Sequence, residues 1–431
     1  RGQMNAQLTR RQILGGAAML SAWSPSRVLG ANDRVVIGCI GLGGMGSGHL
    51  GSLVKRGAQE NIQVGAVCDV YQKRLDEAMD ISKAPGFVDY RRLLERKDID
   101  AVLIATPDHW HGKLTIDALE AGKHVYCEKP MTHTVEQAIQ VRNTAKRYPR
   151  QVVQIGVQGT SSPRTWKTRE LIQGGRIGKV TWAQGSYNRN ARVCLFNQNG
   201  QAYLIDPAAG PSAKGADHID WDMWLGHQFG LAPKIPYNPE HFFRFRKYWA
   251  YSGGVATDLL YHKLAPLLIG ITGPNGEYPR RVNSSGGLYI EKDGRDIPDV
   301  FMMNADYASE FSVFLTSTLT NDTQLPDRIY GKYGTLEMES DDSVSLKANG
   351  DFTPEFSARN GDQKAVEVKQ PKGDGFDHKT NFLNAIRHGE KVNCNVDVAC
   401  ATMVAIKLAV DSYRTSKTMT WDSASERVVG A

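Results

Sequence analysis

The chain has 431 residues, 41% of them hydrophobic and 23% charged, enough to bury sizeable cores in two or three domains. Its formal charge is +6, but Arg1, Arg10, Arg11 and Arg27 fall in residues 1–31 without an acidic residue, which leaves +2 for the rest. That balance gives no basis for a nucleic-acid partner or a membrane anchor, and no apolar run approaches the roughly 20 residues that span a bilayer.

The pair Arg10-Arg11, the apolar Ile13 and the small-residue stretch Gly15–Leu20 resemble a twin-arginine export signal, with Leu29-Gly30-Ala31 as a cleavage site. An amphipathic first helix or an unstructured tail is the alternative. We therefore set residues 1–31 apart as a signal segment and expect a periplasmic protein exported in its folded state.

Arg34–Ile40 is a continuous apolar run, as a strand buried on both faces requires. It opens into Gly41-Leu42-Gly43-Gly44-Met45-Gly46, a G-x-G-x-x-G, followed by a helix to about Arg56. Glycines here permit a tight turn and close approach of the backbone to a pyrophosphate resting on the helix N-terminus. Ile62–Val67 forms a second strand ending at Cys68-Asp69. A carboxylate at that tip accepts from both ribose hydroxyls of an adenosine and repels a 2′-phosphate, favouring NAD over NADP; Lys73 and Arg74 nearby work against that preference.

The third block is the most specific. Strand Ala101–Ala105, turn Thr106-Pro107-Asp108-His109-Trp110-His111, helix Leu114–Ala121 and strand Gly122–Cys127 lead to Glu128-Lys129-Pro130. The T-P-x-x-x-H turn, the A-G-K-H-V strand and the E-K-P tripeptide, in this order, resemble the Gfo/Idh/MocA oxidoreductases. The resemblance implies Lys129 beside a nicotinamide, Glu128 near the adjoining ribose, a cis Lys129-Pro130 bond and His111 at a helix start close to the cofactor. The expected cofactor set is Gly41, Gly43, Met45, Gly46, Asp69, Thr106, His111, Glu128, Lys129 and Gln158. A metal pair at His109 and His111 lacks a third ligand nearby, and no metal is expected. Cys39, Cys68 and Cys127 lie in or beside apolar runs and are read as buried thiols, and His49 and His133 are given no role.

From Val152 the rhythm changes. Strands at 152–158, 180–187, 282–290, 300–307, 310–318 and 335–338, with a helix at Thr165–Gln173, predict an α+β domain built on a large, mostly antiparallel open sheet. His378–His388 and Val396–Ser416 are its closing helices. The fold class is thus α/β: a Rossmann domain over 32–151, then a substrate-binding domain over 152–431.

Ser252–His262 contains G-G-x-x-x-D-x-x-x-H, with Asp258 and His262 four apart on an apparent helix. A carboxylate so placed can orient an imidazole for proton transfer, although an arbitrary pair at this spacing is more often a surface ion pair and a core histidine. The resemblance makes Lys129, Asp258 and His262 the catalytic group, with His262 or Lys129 as proton acceptor. Lys129, Tyr261, His262, Arg164 and Trp249 are expected at the substrate. Where many relatives carry a polar or acidic residue beyond the histidine, this chain has Lys263-Leu264-Ala265-Pro266, which puts the substrate's identity in doubt. Residues 218–251 are rich in aromatic side chains, two or three of which are expected to stack on a sugar while the rest pack.

The resulting expectation is a homo-oligomer, dimer or tetramer, associating through the C-terminal sheet. It would retain NAD tightly and oxidise a secondary alcohol of a sugar or polyol. A redox-neutral NAD-dependent glycosidase acting through transient sugar oxidation and elimination is the second reading, and a non-catalytic dinucleotide or sugar sensor the third.

Overall fold

The computed structural model describes residues 33–191, 204–369 and 377–429; residues 1–31, read above as a signal segment, lie outside them. The first half is a six-stranded sheet, β1 (Val35–Ile40), β2 (Ile62–Cys68), β3 (Gly86–Phe87), β4 (Ala101–Ile104), β5 (His124–Glu128) and β6 (Val153–Gly156), in the order β3-β2-β1-β4-β5-β6. Every pairing in it is parallel. Helices cover both faces of such a sheet, so β1 and β4 carry apolar residues at nearly every position rather than at alternate ones. The strand order reverses between β1 and β4, and the crevice beyond their carboxyl ends is where such a fold binds ligands. α1 (Gly44–Glu60) leaves the crevice from the glycine turn and α4 (Asp108–Glu120) from the Thr106-Pro107 turn. The latter begins earlier than the apolar spacing suggested, because Pro107 ends the extended segment and the first helical turn is itself buried through Asp108, His109, Trp110 and His111.

The second half is a ten-stranded sheet. Its strands are β7 (Val180–Ser186), β8 (Pro279–Gly287), β9 (Val300–Tyr307), β10 (Ser312–Thr318), β11 (Arg328–Gly331), β12 (Gly334–Met338), β13 (Val344–Ala348), β14 (Ala365–Val368), β15 (Met419–Asp422) and β16 (Arg427–Val429). They run β14-β13-β12-β11-β7-β10-β9-β8-β15-β16, antiparallel except where β7 meets β10. Strict alternation of buried and half-buried residues along β10 and β12 shows one face packed and the other toward solvent. α6 (Pro163–Gln173), α9 (Tyr261–Thr272) and α12 (Val396–Thr415) pack the inner side, and α12 also touches α5 (Val135–Arg147) of the first half. That double contact explains why α12 is apolar around most of its circumference.

Candidate active site

The nucleotide end is built from backbone. Gly41 has φ +85°, and a Cβ there would lie 2.7 Å from the Thr106 nitrogen; at Gly46 it would fall 1.8 Å from the Gly41 carbonyl oxygen. Only glycine lets α1 start this close to the end of β1. Asp69, buried at the tip of β2, fixes the turn: Oδ2 accepts from the Leu42 N–H at 2.6 Å and Oδ1 from the Tyr71 N–H at 2.9 Å. The turn opens on a cleft of about 910 Å³. Gly41, Gly43, Met45, Asp69, Arg74 and Thr106 form one wall, and Trp224, Phe242, Phe243, Phe245 and Arg246 face them from the second half. Thr106 Oγ1 is buried there without a hydrogen-bond partner. Free helix N-terminal amides, an unsatisfied hydroxyl, two arginines and apolar walls suit a dinucleotide.

The deep end of the site is ionic. β5 delivers Glu128, then Lys129, whose bond to Pro130 is cis. Glu128 Oε1 meets His49 Nε2 of α1 at 2.7 Å, and a Cβ on Gly156 of β6 would come 2.8 Å from the same oxygen. Burial works against an ionised Glu128, but His49 and the Lys129 ammonium outweigh it and hold the carboxyl below its ordinary range. Lys129 Nζ donates to Asp258 Oδ1 at 2.6 Å and to the Asp258 carbonyl at 3.0 Å. The two side chains are only 8% and 3% exposed, so this pair is nearly dry. Burial opposes the Asp258 carboxylate, yet Lys129 and Arg246, the latter 3.6 Å away, keep it well below the usual carboxylate range. Asp258 Oδ2 stays buried without a partner. Arg246 also lines the nucleotide cleft and so links that cleft to the ion pair.

Asp258 therefore serves Lys129, whereas the four-residue spacing pointed to His262. Residues Ala256–Leu260 form a π-helical turn that runs into α9, which carries His262. The His262 ring packs edge-on against Tyr187, with centroids 5.6 Å apart. Burial, then the Lys129 ammonium, pushes its pKa down to about 4, so the ring is neutral at physiological pH.

Other expected residues lie elsewhere. His111 does not face the cleft: Nδ1 and Nε2 contact the carbonyls of Pro130 at 2.6 Å and Thr106 at 2.8 Å, tying together the two loops that carry site residues. Burial disfavours its charge, but Cys127, Asp108 and the Pro130 carbonyl overcome this and push its pKa up to about 9. Tyr261 is corrected from substrate contact to core, since it is fully buried and its hydroxyl donates to the Ala399 carbonyl of α12. Arg164 is held by the Glu339 carbonyl and by Asp342 at 3.8 Å, which fastens α6 to the β12–β13 turn. Trp249 packs on Tyr413 and under Arg414 at the end of α12. Gln158 is exposed on the turn after β6. The aromatic segment likewise has a different target: Trp224, Phe242, Phe243 and Phe245 wall the nucleotide cleft. His49, given no role from the sequence, is a site residue whose one signal was its place three residues after Gly46 on the helix face that meets the sheet; Arg74, noted beside Asp69, and Arg246, within the aromatic segment, both line the cleft.

Comparisons with known proteins agree with this architecture. Residues 35–156 match the model of an oxidoreductase family with NAD-binding Rossmann fold, GFO_IDH_MocA, and residues 206–288 match its C-terminal alpha/beta domain. A glycosyl hydrolase family 109 protein of Shewanella baltica is 39% identical over 125 residues, 27% of this chain and 27% of that protein. An inositol 2-dehydrogenase/D-chiro-inositol 3-dehydrogenase of Lactiplantibacillus plantarum is 30% identical over 192 residues, 44% of this chain and 51% of that protein. The chain thus aligns with between a quarter and a half of these relatives' length. Among solved structures, levoglucosan dehydrogenase in complex with NADH and levoglucosan superposes with TM-score 0.62 at 19% identity, covering 92% of this chain and 99% of that one. An oxidoreductase domain protein from Kribbella flavida gives 0.65 at 19%, covering 90% and 99%. At these identities the superpositions speak for the fold. Together with the glycine turn and Asp69, the family match makes NAD the cofactor of the first domain.

Proposed function

We propose that this chain, a member of the Gfo/Idh/MocA oxidoreductases, oxidises a secondary alcohol of a sugar or polyol. The observation that carries the reading is the buried Lys129–Asp258 pair beside a neutral His262, linked through Arg246 to the cleft that begins at the glycine turn. NAD, when bound, supplies the acceptor for the hydrogen that leaves carbon with its electron pair. His262 takes the hydroxyl proton, for which a neutral ring is the required form. The Lys129 ammonium, oriented by two contacts to Asp258, donates toward the substrate oxygen as negative charge develops on it. Asp258 Oδ2, buried and unpartnered, is available to accept from a neighbouring hydroxyl of the substrate.

Export and assembly belong to the same proposal. Arg10-Arg11 supports folded export to the periplasm, where a nucleotide enclosed by Phe242, Phe243 and Phe245 would be carried along. The solvent-facing side of the ten-stranded sheet, where Trp182 stacks on Tyr330 at 3.8 Å, supports association with a second copy.

The glycosyl hydrolase family 109 relatives favour a second reading, redox-neutral cleavage of a glycosidic bond at the same site. Turnover of aryl glycosides in deuterated water, without added nucleotide, separates the two. Under the oxidoreductase reading the glycosidic bond survives; under the second, aglycone is released and the sugar carries deuterium at C2.

A further inference from the structure

Four cations lie around Asp258, His262 and Tyr187, and they are not equally neutralised. Lys129 is paired with Asp258, and Lys263 with Asp327 at 2.9 and 3.1 Å. Arg246 lies 3.6 Å from Asp258. Arg189 differs. It follows β7 at even spacing from Ala183, Gly185 and Tyr187, so its side chain leaves on the face that packs against α9. Its guanidinium sits 5.0 Å from the centroid of the Tyr187 ring, and Nη2 donates to the Tyr187 hydroxyl at 2.9 Å. The Tyr187 ring in turn meets the edge of His262, and Lys263 Nζ lies 5.9 Å from that ring's centroid.

Among the described residues no carboxylate pairs with Arg189, although it is only half exposed and its field reaches His262, whose charged form it disfavours. A half-buried guanidinium fixed on an aromatic ring, one residue from the acid/base in this chain of contacts, is organised to receive an anion in a planar, two-pronged manner. A neutral polyol would leave that charge unmet; a sugar acid would meet it and place its adjoining hydroxyls toward His262.

We infer that the substrate is a sugar acid whose carboxylate is bound by Arg189 on the Tyr187 platform. Lys263 is the neighbouring charge whose pairing with Asp327 keeps it from competing for the same group. This inference rests on the proposed sugar-alcohol chemistry at His262, and it names the substrate class within it.

The test uses the full chain loaded with NAD. D-glucuronate and D-galacturonate, each beside its parent hexose, are titrated calorimetrically into the wild type, Arg189→Gln and Arg189→Lys, while reduction of the bound nucleotide is followed in parallel. Wild type should bind at least one acid about 10- to 100-fold more tightly than its parent, the span expected for a hydrogen-bonded charge. That ratio should fall toward one in Arg189→Gln and recover in part in Arg189→Lys. A wild-type ratio near one, binding of neither acid, or an acid preference that survives in Arg189→Gln overturns the inference. The wild-type ratio decides even where a variant fails to fold. If an acid binds selectively through Arg189 but never reduces the nucleotide, the carboxylate site stands and the oxidoreductase reading falls.

Discussion

At the scale of single residues, the site depends on which side chain holds a proton. His262 would titrate near 6.5 in water, but burial and the Lys129 ammonium bring it to about 4. Lowering the pKa of a base keeps it deprotonated to lower pH, so the acid limb of kcat/KM should fall near pH 4. A limb near 6.5 would show that His262 is solvated, or that a different group accepts the proton. Asp69 is the second such residue. Replacing it with alanine removes an acceptor for the ribose hydroxyls and also frees the Leu42 and Tyr71 amides that shape the glycine turn. NAD binding should weaken by about 1–3 kcal/mol, and discrimination against NADP should narrow because Arg74 stands beside the vacated position. Unchanged affinity for both nucleotides would remove Asp69 from the site.

At the scale of elements, the joint between α1 and β5 is the one to test. His49 reaches from the helix that starts at the glycine turn to Glu128 at the end of the strand that delivers Lys129. Removing one partner of a buried pair leaves the other charge uncompensated, so His49→Ala should cost about 3 kcal/mol in denaturant unfolding. A loss below about 0.5 kcal/mol would show that Glu128 finds another partner. This joint also marks where the sequence was readable. The turn at Gly41–Gly46, the Asp69 tip and the helix at His378–His388 were legible because each is set by neighbours a few residues away, whereas the cis Lys129-Pro130 bond came only from the family resemblance. The partner of Asp258 was not, because Lys129 lies 129 positions away in sequence and meets it only through the packing of the two halves. Nor were the contacts of Tyr261, Arg164 and Trp249, because which way each points depends on α12 and on the β12–β13 turn, far off in sequence. The aromatic density of 218–251 was visible, but its target was decided by packing across the two halves.

At the scale of the whole molecule, the nucleotide cleft is shared between the halves. The first supplies the glycine turn and Asp69; the second supplies the aromatic wall and Arg246, which reaches from that wall to Asp258. Arg246 thus links the nucleotide cleft to the Lys129–Asp258 pair, and the redox state of a bound nucleotide should report on the chemistry there. The most direct measurement is the near-ultraviolet absorbance of NAD-loaded protein after a sugar acid is added alone, in the wild type and in Lys129→Met. The account predicts that the band of reduced nicotinamide rises in the wild type and that its rate drops about 10²–10⁴-fold in the variant. A band that never appears with any sugar, or that rises equally fast without the lysine ammonium, would contradict it.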